Sequence, residues 1–76
     1  MIVEVITPDE VLFSGEAISV KLPGTSGSFE ALSNHAPLLS SLEKGSIVVR
    51  TAGGEETFEV SGGIVEVLNN KVVVLA

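Results

Sequence analysis

The segment SGGIVEVLNNKVVVLA, Ser61–Ala76, decides the fold class. Ile64–Leu68 and Lys71–Leu75 are short runs of β-branched and other apolar residues. Between them, Asn69-Asn70 tolerates the left-handed backbone that a two-residue hairpin turn needs. Ahead of this hairpin, Ser61-Gly62-Gly63 reads as a bulge or tight corner, because consecutive glycines inside strand sequence permit positive φ or close backbone approach.

The same pattern extends upstream. Ile47–Thr51 pairs with Thr57–Val60 across Gly53-Gly54, with Phe58 and Val60 facing inward. Leu38–Leu42 is a further strand, closed by a turn at Lys44-Gly45. Ser28–Leu32 is brief enough for an edge strand, bounded by Pro23-Gly24-Thr25-Ser26-Gly27 and by Asn34-His35-Ala36-Pro37. In Glu16–Leu22, Ile18, Val20 and Leu22 alternate with Ala17, Ser19 and Lys21, which predicts one core face and one solvent face. Ser14-Gly15 separates that strand from Val11–Phe13, and Thr7-Pro8-Asp9 ends the first strand, Ile2–Ile6. Val, Ile and Thr supply 12, 5 and 4 of the 76 residues, and no ten-residue window has helical amphipathic spacing. Turn signals about every 8–12 residues mark a small sandwich or barrel. The expectation is a single all-β domain over residues 1–76, a small flattened β-sandwich of about ten short strands.

Composition excludes several functions. Ten Asp and Glu against four Lys and Arg give a net charge of -6, which argues against a phosphate-tracking surface and so against nucleic acid or anionic lipid as partner. The absence of Cys removes disulfides, thiolate chemistry and Cys-ligated zinc. Apolar runs such as Val72–Ala76 fall far short of the roughly 18 residues that span a bilayer, and no basic or apolar export leader follows Met1. A soluble chain without direct membrane insertion is therefore expected. Apolar residues make up 45% of it and charged ones 18%, yet a domain this small hides only about 60% of its unfolded surface. Some apolar surface must stay outside, which predicts docking within a larger assembly.

Chemistry by motif is sparse. His35 is the single histidine and has no Cys or second His to complete a zinc site, so a structural or interface role is expected of it. Gly24-Thr25-Ser26-Gly27 lacks the Lys and glycine spacing of a phosphate loop, and Ser26 is not in a Gly-x-Ser-x-Gly elbow. Asp9-Glu10 and Glu55-Glu56 read as solvated turn charges, while Phe13, Phe29 and Phe58 are too few for a base-stacking platform and fill the core. One alternative carries chemistry: a biotinyl or lipoyl carrier domain with Lys44 modified at a hairpin tip. The Leu42 and Ser46 flanks do not match the Met-Lys-Met or Asp-Lys-Ala of those carriers, and intact mass separates the two readings.

Four segments in order carry a resemblance: Phe13-Ser14-Gly15, His35-Ala36-Pro37-Leu38-Leu39, SGGIVEV at Ser61–Val67 and VVVLA at Val72–Ala76. Together they resemble the N-terminal β domain of the epsilon subunit of F-type ATP synthase, end to end. The resemblance implies a ten-stranded sandwich in the central stalk, bound to the gamma subunit and resting on the ring of c subunits. Such a domain catalyses nothing itself and needs no cofactor or metal; it keeps ion flow coupled to ATP synthesis. It also implies a c-ring side at Gly24, Thr25, Ser26, Gly27 and Ser28, with Glu30 as a charged contact, and a gamma side at His35, Leu38 and Ser40. The family often has a Gly-Ile or Gly-Leu and a Pro where this chain has Phe29-Glu30-Ala31-Leu32-Ser33-Asn34. Members usually continue beyond the equivalent of Ala76 into a two-helix hairpin, so helix-borne inhibition and nucleotide binding are not expected of these 76 residues. The implied location is the cytoplasmic face of a bacterial plasma membrane, peripheral through the complex.

Overall fold

The computed structural model describes all residues, Met1–Ala76, in nine strands and no helix. They are β1 (Ile2–Ile6), β2 (Val11–Glu16), β3 (Ser19–Leu22), β4 (Phe29–Leu32), β5 (Leu38–Leu42), β6 (Gly45–Thr51), β7 (Gly54–Val60), β8 (Gly63–Leu68) and β9 (Lys71–Leu75). One sheet has the order β2-β1-β9-β8-β5 and the other β4-β3-β6-β7. Stacked, they measure 26 × 25 × 18 Å, a flattened sandwich.

Local chemistry explains the turns. Asn69 and Asn70 have φ of 52° and 61°, so the β8–β9 turn is left-handed at both central residues, as the right-handed twist of paired strands favours. At the β6–β7 hairpin, Thr51 pairs with Gly54, which places Ala52 and Gly53 in the turn and gives Gly54 the positive φ of 131°. The ladder is thus longer than the sequence reading allows. Glu55 and Glu56 stand in β7 opposite Arg50 and Val49 rather than in a turn, although both remain solvent-exposed.

Two expectations change where the chain crosses between sheets. Ser14-Gly15 does not interrupt β2, which runs on to Glu16, and the Glu16–Leu22 strand begins only at Ser19. The step at Ala17-Ile18 carries the chain from one sheet to the other and breaks the alternation, so Ala17 is buried and Ile18 is 49% exposed. The last crossing, from β7 to β8 at Ser61-Gly62-Gly63, is the expected tight corner. A Cβ on Gly63 would sit 2.9 Å from the Ala76 Cα and against the Leu75 carbonyl oxygen.

Inside, Val3, Val5, Val65, Val67, Val72 and Val74 of the larger sheet face Val20, Leu22, Ile47 and Val49 of the smaller one. Each fully buried Val of this kind contributes about 1.5–3 kcal/mol. β1 and β9 run parallel, Val3 beside Val72 and Val5 beside Val74, and this pair ties the two ends of the chain into the middle of the larger sheet. Along one margin Phe13 of β2 and Phe58 of β7 meet at 6.2 Å between ring centroids and close the sandwich. The opposite margin, between β4 and β5, is joined through loops and leaves a shallow concavity open to solvent.

Candidate docking surface

At the open margin, the loop after β3 is laced to β5. Gly24 bridges to Leu42, the Thr25 amide donates to the Ser41 carbonyl at 3.1 Å, and the Thr25 and Ser41 hydroxyls meet at 3.0 Å. Gly27 closes the loop by donating its N–H to the Gly24 carbonyl at 3.0 Å. Gly24 is buried and has no room for a side chain, since a Cβ there would lie 2.8 Å from the Gly27 oxygen and 3.1 Å from the Phe29 ring. Across the margin the His35 amide donates to the Leu32 carbonyl at 3.1 Å, and its ring Nδ1 lies 2.7 Å from the Ala36 carbonyl. That ring tilts toward Phe29, with centroids 6.4 Å apart.

The result is one shallow concavity with Ser26, Gly27, Ser28 and Phe29 on one wall and His35, Leu38, Leu39 and Ser40 on the other. Residues expected on two separate sides, Ser26–Ser28 and His35, Leu38, Ser40, therefore converge. Gly24 lies beneath them and Thr25 beside them. Glu30 does not join: it is exposed beside Lys21 on the outer face of the smaller sheet. Leu38 and Ser40 share the inward parity of β5 and are half-buried, Leu38 against the core, so the side chain that projects from this strand is Leu39, 72% exposed. Lys44 is exposed at the corner between β5 and β6, which lie in different sheets and do not pair. It is therefore not at a hairpin tip, and the corner is pinned by the Glu43 amide donating to the Pro23 carbonyl at 2.8 Å.

A second surface lies on the outer face of the larger sheet. Register aligns Ile64 with Leu75, Leu75 with Ile6 and Ile6 with Val11, an apolar row across four strands that ends at Ser41 of β5. Ile64, Leu75 and Val11 are 50%, 55% and 59% exposed. The next rows are mixed, with Glu4 and Lys71 paired at 3.4 Å. The outer face of the smaller sheet is more polar, with Leu32 and Val48 set among opposed charges. Lys21 stands opposite Glu30 and Arg50 opposite Glu55, and the Ser46 hydroxyl donates to Glu59.

The family described as "ATP synthase, Delta/Epsilon chain, beta-sandwich domain" matches residues 1–76. The chain belongs to this family. Among relatives called ATP synthase epsilon chain, that of Synechocystis is 48% identical over 73 residues, covering 96% of this chain and 54% of the relative. That of Salinibacter ruber is 41% identical over 83 residues, covering 97% and 56%. That of Chlorobaculum tepidum is 41% identical over 73 residues, covering 95% and 83%. The chain thus spans just over half of the longer relatives and most of the shorter one. A chain in the mitochondrial ATP synthase of Euglena gracilis superposes with a TM-score of 0.92 at 22% identity, covering 100% of this chain and 49% of that one. One in the central stalk and c-ring of the Tetrahymena thermophila enzyme gives 0.84 at 17%, covering 97% and 60%. At those identities the likeness is one of fold, and it agrees with the two-sheet sandwich described above.

Family membership gives the concavity and the apolar row a common context. Sequence reading missed Phe29 and Leu39 as lining residues and the whole Val11-Ile6-Leu75-Ile64 row. Its signal was present: β1, β8 and β9 are apolar at both parities, which a strand with one solvated face does not require.

Proposed function

We propose that this domain is a non-catalytic rotor element of an F-type ATP synthase that links a gamma subunit to the ring of c subunits and keeps proton flow coupled to ATP synthesis. The observation that carries the reading is the exposed apolar row on the larger sheet. Contiguous apolar surface on so small a domain loses free energy to water until a partner covers it. Gamma is the partner assigned to this face, with Leu39 and His35 extending the contact at the open margin and Leu38 and Ser40 supporting it from beneath. The loop Gly24–Ser28, stitched to β5 by backbone hydrogen bonds, is assigned to the c-ring, with Glu30 a separate charged contact on the outer face of the smaller sheet. A link under torque needs stiffness, which short hairpins around a close-packed valine core supply. The domain would then sit peripherally at the cytoplasmic face of a bacterial plasma membrane.

Co-purification of the tagged full-length chain with gamma and with the c-ring tests this. Retention of both, with no ATP turnover by the chain alone, is expected. Retention of neither overturns the reading.

A further inference from the structure

Asn70 does two things at once. Its backbone, at φ 61°, forms half of the left-handed turn between β8 and β9, and its carbonyl accepts the Ile2 N–H at 3.1 Å. Its side chain leaves the hairpin, and Oδ1 accepts the N–H of Asn34 at 2.8 Å, 36 positions away in sequence. Asn34 is itself left-handed, with φ 63°, and occupies the third position of the turn that the His35 N–H closes onto the Leu32 carbonyl. This turn joins β4 of one sheet to β5 of the other, and every other polar contact of Asn34 and His35 is local to it. The Asn70 carboxamide is thus the side-chain hydrogen bond that fixes the His35 turn to the larger sheet.

We propose that Asn70 is a positioning residue for the docking surface: by holding the Asn34 amide it sets the placement of His35 against Phe29 at the open margin. The turn is exposed, and without this acceptor the Asn34 N–H faces only water, so the turn keeps its own His35–Leu32 bond but loses its side-chain tether to the larger sheet and can shift relative to it before a partner binds. Ordering it in advance removes that cost from the docking step. The consequence for binding rests on the function proposed above; the consequence for the turn does not.

Two substitutions in the full-length chain isolate the side chain. Asn70→Gly keeps the left-handed turn, since Asn-Gly is a favoured pair for such hairpins, and keeps the backbone carbonyl that Ile2 uses. Asn70→Asp keeps an acceptor oxygen at the same place. In Asn70→Gly, amide exchange at Asn34 should accelerate about tenfold with the thermal midpoint unchanged or raised, and gamma should bind about three- to tenfold more weakly, the range expected for one hydrogen bond. Asn70→Asp should restore both readouts. Unaltered exchange at Asn34 in Asn70→Gly, or failure of Asn70→Asp to restore it, overturns the clamp. A wild-type chain that does not bind gamma, with exchange at Asn34 still responding, leaves the clamp standing and removes the docking reading.

Discussion

At Gly63 a single hydrogen in place of a methyl decides whether the chain can pass from one sheet to the other. The residue combines a positive φ of 136° with the tightest approach at any glycine, its missing Cβ directed at the Leu75 carbonyl oxygen and 2.9 Å from the Ala76 Cα. Gly27 supplies the comparison, because its φ of 123° is just as unfavourable for other residues but nothing lies within 4 Å of its Cβ position. Gly27→Ala should therefore cost only the backbone strain, about 1–2 kcal/mol. Gly63→Ala should cost about 3–5 kcal/mol, because β8 or β9 must also move. Urea unfolding of the two variants beside the parent measures the difference. Equal losses would mean that the corner relaxes freely and that close approach is not what Gly63 provides. The same logic made Ser61-Gly62-Gly63 readable in advance: paired glycines inside strand sequence have few other uses.

Among the strands, legibility followed the range of the interaction. Hairpins are local, so β6–β7 and β8–β9 were visible from turn residues and alternation, and the brevity of Ser28–Leu32 marked the edge position that β4 holds. Crossings between sheets are local too, but they break the alternation that reveals a strand, which is why alternation puts Ile18 in the core whereas it lies half exposed beside buried Ala17. The Lys44 corner misled for the same reason: Lys44-Gly45 has the composition of a turn, and nothing local tells a hairpin from a step between sheets. The parallel pairing of β1 with β9 was invisible, since no turn connects those strands. It is also where the core is most concentrated. Val74 is fully buried on β9, with Val5 on one side and Val65 on the other. Val74→Ala should cost about 2–3 kcal/mol from lost burial and the cavity left behind, whereas Thr57→Ala on the exposed outer face of β7 should stay within about 0.5 kcal/mol. Denaturant midpoints for the pair check it. A mild effect at Val74 would show that the β1–β9 seam repacks easily and is not the centre of stability.

For the whole molecule, the two outer faces differ in the property that governs association. The smaller sheet presents opposed charges, Lys21 with Glu30 and Arg50 with Glu55, interrupted by Leu32 and Val48, and such a surface is content in water. The larger sheet presents Val11, Ile6, Leu75 and Ile64 in one register-aligned line, beginning where the Thr25 loop is stitched to Ser41. Alternation accounts for the buried partners of these residues, Val5, Val65 and Val74, but not for apolar side chains at the outward positions, so folding alone does not explain the row. The docking proposed above would explain it, and the two explanations predict different losses. Replacing Ile64 and Leu75 together by Thr keeps β-branching or strand propensity while removing apolar area from the outside, so stability should change by no more than about 1 kcal/mol. On the proposed gamma contact, affinity should fall at least tenfold, because the two substitutions remove apolar area that the contact would bury. Replacing Lys21 and Thr57 by Ala on the opposite face provides the control and should leave that affinity within about twofold. Calorimetry of gamma binding with the three proteins separates the cases. If the Thr pair binds as tightly as the parent, the apolar row is not the gamma contact of the proposed function; a loss in the polar-face pair instead would move that proposed contact to the smaller sheet.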